Sequence, residues 1–273
     1  YTRFSSVLDL RMDLNLTGRH ALVCGASEGI GRAAAHELAL LGASVTLLAR
    51  RADVLAEVMA ALPRTPGEQH HDGIAVDVAD AAPLQAKVSA LAAARPIHIL
   101  VNNTGGPPGG RAIDAVADDY LAAFHRHLLA NQLLAQLTVP GMRAAGWGRI
   151  INVVSTSVKE PIANLGVSNT IRGAVASWAK TLSKELGAYG ITVNNVLPGY
   201  TRTGRLDQIL RDRVQATGKD EAAVSAAMLA TVPAGRFAEA HEVAAAIAFL
   251  ATPAAGYVNG VSLAVDGGRM QSI

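Results

Sequence analysis

Gly25-Ala26-Ser27-Glu28-Gly29-Ile30-Gly31 decides the fold, because it follows the apolar run His20 to Cys24 and opens into the helical segment Ile30 to Leu41. Glycines permit a tight turn and close approach of the backbone to a ligand. The unpaired N–H groups of a helix start add positive potential suited to a pyrophosphate. A glycine-rich turn by itself is common; placed between a first strand and a first helix it points to dinucleotide binding. The same residues also spell Gly-x-Ser-x-Gly, the nucleophile elbow of α/β-hydrolases. That alternative needs several strands and an oxyanion-hole loop before the elbow, and a single strand precedes Ser27.

Downstream of this turn, short apolar runs alternate with longer helical ones. The strands read Ser44 to Ala49, Gly73 to Val78, Ile97 to Asn102, Gly148 to Val154, Ile191 to Leu197 and Ser262 to Val265. The helices read Val54 to Leu62, Pro83 to Ala94, Asp118 to Ala145, Ser168 to Tyr189 and His241 to Leu250. Strands apolar on both faces belong in a parallel sheet, and right-handed crossovers place helices on both sides of it. The expectation is a single-domain α/β Rossmann-like doubly wound sheet of seven strands over residues 14–273, with residues 1–13 an N-terminal arm or an expression remnant. The polar, partly helical stretch 201–233 reads as a substrate lid.

Half of the 273 residues are hydrophobic and 17% are charged, a composition that supports a large core. Twenty-four basic residues scattered among 22 acidic ones give a net charge of +2 with no like-charge run, which argues against nucleic acid as a partner. No apolar stretch of about 20 residues is present to suggest a membrane span. Cys24 is the sole cysteine, so no internal disulfide can form and a cytoplasmic location is expected. His70-His71-Asp72 lacks spaced partner ligands, so no metal site is expected.

Cofactor choice is read after the second strand, where an NAD site holds an acid against the ribose 2′-hydroxyl. Here Leu48-Ala49-Arg50-Arg51 stands instead. A guanidinium suits a 2′-phosphate, so NADP(H) is the expected cofactor.

Together these segments resemble the short-chain dehydrogenase/reductase family over roughly Leu14 to Gly268. Besides the loop Gly25, Ser27, Glu28, Gly29, Ile30 and Gly31, the resemblance rests on Asp77-Val78, where the family contacts adenine, and on Asn102-Asn103-Thr104-Gly105 after the fourth strand. Pro198-Gly199 with Thr201 and Thr203 is similar to the segment bracketing the nicotinamide carboxamide, and Val265-Asp266-Gly267-Gly268 to the closing signature. Among family members the chain looks most like 3-oxoacyl-(acyl-carrier-protein) reductases. The Gly105 to Gly110 stretch reads as a wall beside the cofactor, and Tyr200, following Pro198-Gly199 near the nicotinamide, as a further candidate proton donor.

The resemblance also implies a catalytic tetrad of Asn, Ser, Tyr and Lys, from which this chain departs. Ser155 takes the serine position; counting 13 residues on gives Ser168 for tyrosine, and one turn later Arg172 for lysine. His127 falls where the family has asparagine. A serine hydroxyl is far less acidic than a phenol, and an arginine with a pKa above about 12 does not relay protons. His127, with an ordinary pKa near 6.5, is either the group that exchanges protons here or a structural histidine. The expected function is NADP(H)-dependent reduction of a carbonyl, on a small-molecule or acyl-carrier-linked substrate, with an altered proton donor. The alternative is a non-catalytic NADP(H)-binding relative with a structural or regulatory role. The family resemblance further implies a homo-oligomer, a tetramer pairing through the long helices Asp118 to Ala145 and Ser168 to Tyr189.

Overall fold

The computed structural model describes residues 12–65 and 69–272. Residues 1–11 of the expected arm lie outside the described residues, whereas the Asp13 carbonyl accepts a hydrogen bond from Ala254 N at 2.9 Å. Seven strands form one sheet in the order β3-β2-β1-β4-β5-β6-β7: β1 His20–Cys24, β2 Ser44–Ala49, β3 Asp72–Ala75, β4 Ile99–Asn102, β5 Gly148–Val153, β6 Ile191–Pro198 and β7 Ser262–Val265. Every pair is parallel. The doubly wound fold expected from the sequence is present.

Alternate residues along each strand enter two separate cores, as the two-residue period of a pleated strand requires. Ala21 and Val23 of β1 face one, Leu22 and Cys24 the other. The first core is closed by helices α1 Gly29–Leu40 and α2 Ala52–Ala60, and by α9 Ala240–Ala251. The second is closed by α3 Ala81–Ala94, α5 Ala130–Ala144 and α6 Gly166–Leu186. Burial also pushes the Cys24 thiol up to about 12, so it packs as an inert apolar group.

Several boundaries differ from the expected ones in ways that shape the site. β3 stops at Ala75, leaving Val76 to Val78 as loop rather than strand. The expected helix from Asp118 to Ala145 is three pieces: α4 Ala117–Phe124, a π-turn over His125–Leu129, and α5. The stretch 201–233 holds α7 Gly204–Thr217 and α8 Glu221–Leu229, which bury Leu206, Leu210, Val224 and Met228 against Phe237 in a small core of their own.

A file of amides crosses four strands. Asn102 donates to Asn152 Oδ1 at 2.8 Å, Asn152 to Asn195 Oδ1 at 3.1 Å, and Asn195 to Ser262 Oγ at 3.1 Å, each pair in register. Strand order reverses between β1 and β4, and a crevice opens above the carboxyl ends of the strands at such a switch point.

Candidate active site

At that crevice lies one long cleft of about 390 Å³. Its first end is built by the turn between β1 and α1. Gly25 and Gly29 hold φ of +61° and +56°, a backbone region open to glycine. A Cβ on Gly25 would stand 2.5 Å from Asn103 O, and one on Gly31 would run into the Gly25 carbonyl. Gly31 therefore packs beneath the cleft, while Gly25, Ser27, Glu28, Gly29 and Ile30 line it. The N-cap of α1, Glu28, makes no side-chain cap, so the first N–H groups of this helix lack a side-chain capping partner and suit an anion. Such a turn, with no room for a Cβ at Gly25 or Gly31 and with a helix start that no side chain caps, fits a pyrophosphate.

Cations flank this end. Arg51 pairs with Glu28 at 3.0 Å, and Arg50 reaches to 4.0 Å from Asp77 Oδ2 while remaining largely exposed. Arg126, which sequence motifs did not signal, approaches the same Asp77 oxygen at 3.9 Å and lines the cleft. Asp77 and Val78 line it because β3 ends early, Asp77 Oδ1 turning the chain by accepting from Ala79 N at 3.0 Å.

Asn103, Thr104 and Gly105 form the middle, opposite Pro198, Gly199, Thr201 and Thr203. The Gly105 to Gly110 loop is tied to the start of α6, with Gly110 N donating to Asn164 O at 2.8 Å and Gly166 N to Gly110 O at 2.9 Å. Arg205 donates to Pro107 O at 2.9 Å from the opposite wall.

Ser155, Ser168 and Arg172 line the far end. Ser155 Oγ accepts from Ser157 N at 3.1 Å, and Ser168 Oγ accepts from Arg172 Nε at 3.3 Å. Both hydroxyl protons are thereby left to point at a third atom. Arg172 Nη1 also donates to Val154 O at 2.6 Å and Val153 O at 3.3 Å. Burial, then the charge of Arg205, pushes Arg172 down to about 10, so it is cationic at neutral pH.

His127 lies beside the cleft rather than in it. It sits on the π-turn, buried, with Nδ1 2.7 Å from Thr104 Oγ1 and Nε2 without a partner among the described residues. Burial, followed by the charges of Arg172 and Arg126, lowers its pKa to about 3. The ring is therefore neutral at neutral pH. His71 is occupied structurally, accepting from Val45 N at 3.1 Å and holding Pro63 O at 3.0 Å.

A family model described as Enoyl-(Acyl carrier protein) reductase matches residues 25–269, spanning the cradle and the whole cleft. The chain belongs to the short-chain dehydrogenase/reductase family. Among its curated relatives, the 3-oxoacyl-(acyl-carrier-protein) reductase FabG of Vibrio harveyi is 34% identical, covering 93% of this chain and 98% of that protein. L-Sorbose reductase from Gluconobacter frateurii, solved with NADPH and L-sorbose, superposes with a TM-score of 0.89 at 31% identity over 96% of this chain and 100% of that one. YwfH, an NADPH-dependent reductase involved in bacilysin biosynthesis, gives a TM-score of 0.88 at 29% identity over 93% of this chain and 99% of that one. As a member of the family the chain is an oxidoreductase built on NAD(P) chemistry. Arg205, Arg213 and Arg269 also line its cleft. Sequence reading missed them because they come from α7 and the C-terminal segment, with no motif spacing to link them.

Proposed function

We propose that this chain is an NADP(H)-dependent reductase acting on a carbonyl, on a small-molecule or acyl-carrier-linked substrate. The observation that carries the reading is the single cleft running from the Gly25–Gly31 cradle to the hydroxyls of Ser155 and Ser168. In this reading the turn and the α1 N-terminus hold the pyrophosphate, Arg50 the 2′-phosphate, Asp77 and Val78 the adenine, and Thr201 and Thr203 the carboxamide. When bound, the reduced cofactor supplies the hydride.

The protein's own residues then act on the acceptor oxygen. Ser155 and Ser168 donate hydrogen bonds to it, and the charged Nε of Arg172 polarises the Ser168 hydroxyl. Two positioned donors stabilise charge as it builds on that oxygen. The final proton comes from water, since a histidine with a pKa of about 3 is not an imidazolium at neutral pH and its remaining N–H is too weak an acid. Neutral His127 fixes Thr104 beside the cofactor. The 201–233 segment acts as the lid, and the chain works as a cytoplasmic homotetramer.

The test is a carbonyl panel followed at the NADPH absorbance band, with NADPH and NADH affinities measured in parallel. Turnover with at least about tenfold tighter NADPH binding, roughly 1.4 kcal/mol, is the expected result. Tight NADPH binding with no turnover on any carbonyl would favour the non-catalytic reading instead.

A further inference from the structure

The far end of the cleft is charged in one sense. Arg172, Arg205, Arg213 and Arg269 all face it, and among the described residues none is in ion-pair contact with a carboxylate. Two of the four are held by neutral partners, Arg172 on the Val153 and Val154 carbonyls and Arg205 on Pro107. The other two flank Tyr200. Its ring lies 4.5 Å from the Arg269 guanidinium carbon and 5.9 Å from that of Arg213, and packs edge-on against Phe237 at 6.1 Å.

Arg269 is bound on one side only. Nη1 donates to Thr156 Oγ1 at 3.2 Å, while Nε is buried without a partner. Of the acids around it, Glu160, which feels the charge of Arg269, accepts from Gln271 N at 2.7 Å and Ser272 N at 2.6 Å, and Asp266 accepts from Gly268 N at 3.0 Å and Met270 N at 2.8 Å. A cleft-lining guanidinium whose one hydrogen-bond partner among the described residues is a neutral hydroxyl pairs favourably with a bound oxyanion. Thr156 directly follows Ser155, and Ser155, Thr156 and Arg269 all line the cleft, which places the Arg269 guanidinium at the same end as the Ser155 hydroxyl.

We infer that Arg269 and Arg213, on either side of Tyr200, form a carboxylate subsite, so that the substrate is a free oxo acid. This rests on the reading of the cleft as a reductase site and names its substrate class. A carrier-linked thioester lacks a carboxylate, and the phosphate of its arm lies too far along the chain to reach a group one residue from Ser155.

The experiment is calorimetric titration of the protein, with and without NADP+, using acetoacetate, 2-oxobutanoate and their methyl esters. With NADP+ no reduction can occur, so binding is read separately from turnover. Acids should bind about tenfold or more tighter than their esters, as expected for losing a charge-assisted pair. Arg269→Gln and Arg213→Gln should each shrink that preference severalfold, and Arg269→Lys should retain part of it. Equal binding of acid and ester, or a preference untouched by both glutamine variants, would overturn the inference. So would a parallel, equal loss of NADP+ affinity in these variants, which would assign the pair to the cofactor. A gain for acetoacetyl-pantetheine 4′-phosphate over acetoacetyl-pantetheine that Arg269→Gln abolishes, with no preference for free acids, would assign the subsite to a carrier arm. Failure of wild-type protein to bind NADP+, with the arginine-dependent acid preference intact, would strike the reductase reading while sparing the subsite.

Discussion

The two ends of the cleft handle charge in opposite ways. At the cradle end the cations are answered, Arg51 by Glu28 and both Arg50 and Arg126 by Asp77. At the far end the guanidinium groups rest on carbonyls and a hydroxyl. The first end recognises its ligand chiefly through backbone shape, and its charges are tempered in advance. At the second end Arg172, Arg205, Arg213 and Arg269 have no ion-pair partner among the described residues, so under the proposed reading affinity there depends on what the acceptor carries. One fold thus combines a site specified by sterics with one specified by electrostatics.

Gly31→Val probes the steric end most severely, because the added side chain runs into the Gly25 carbonyl and the Asn103 amide. NADPH affinity should fall about a hundredfold, near 2.7 kcal/mol, in a fluorescence titration. Gly110→Ala, where an added methyl meets nothing within 4 Å, should leave it within about twofold. Equal losses in the two variants would erase the contrast between the ends.

Acid exposes the electrostatic end next. His127 has a folded-state pKa of about 3 against an ordinary 6.5, so the native protein binds fewer protons than the unfolded chain in between. Stability held above about pH 6.5 is lost as pH falls toward 3, amounting to a few kcal/mol on the scale of about 1.4 kcal/mol per pH unit. Denaturant midpoints measured from pH 7 to 4 should decline, and His127→Asn should flatten the decline. An unchanged slope in that variant would locate the acid sensitivity elsewhere.

Arg172→Met removes the donor to Val153, Val154 and Ser168 at once. A loss of about 2 kcal/mol in urea unfolding is expected, with Arg172→Lys intermediate. Arg50→Ala should weaken NADPH about tenfold while leaving NADH unaltered, a gap of about 1.4 kcal/mol; a matching loss for NADH would show that Arg50 does not read the 2′-phosphate. The smallest effect is a null one: if the chain reduces a carbonyl, its rate at saturating substrate should show no inflection near pH 6.5. An inflection there that vanished in His127→Asn would return the histidine to the proton route.

Much of the fold is legible in the chain because burial on both faces leaves uninterrupted apolar runs; β1 and β2 fall where those runs lie, and the half-exposed edge strand β7 falls on its own short run. The Gly25 to Gly31 turn is equally plain, since its spacing answers to backbone sterics. Val76 to Val78 misled the reading, being apolar enough for a strand while the Asp77 side chain and its carbonyl turn the chain away. The π-turn at His125–Leu129 was invisible because the apolar periodicity runs through it. His127 seemed able to exchange protons from its type alone; its burial beside two arginines depends on tertiary packing. Arg126, Arg213 and Arg269 converge from three distant segments, and local pattern carries no trace of that.

The amide file across β4, β5, β6 and β7 has a consequence for how the molecule tolerates change. Asn152 and Asn195 each give to one neighbour and take from the other, and the file ends at Asn102 Oδ1, which has no partner among the described residues. Sliding any one strand by a residue would swap its faces and strand two buried amides together. The four strands are therefore indexed to one another like wards in a lock, and the groups that follow them, Thr104, Ser155 and Thr201, inherit a common zero. Insertions and deletions in this chain are expected to settle outside that row, in the loops and the 201–233 segment, where length can change without moving one wall of the cleft against the other.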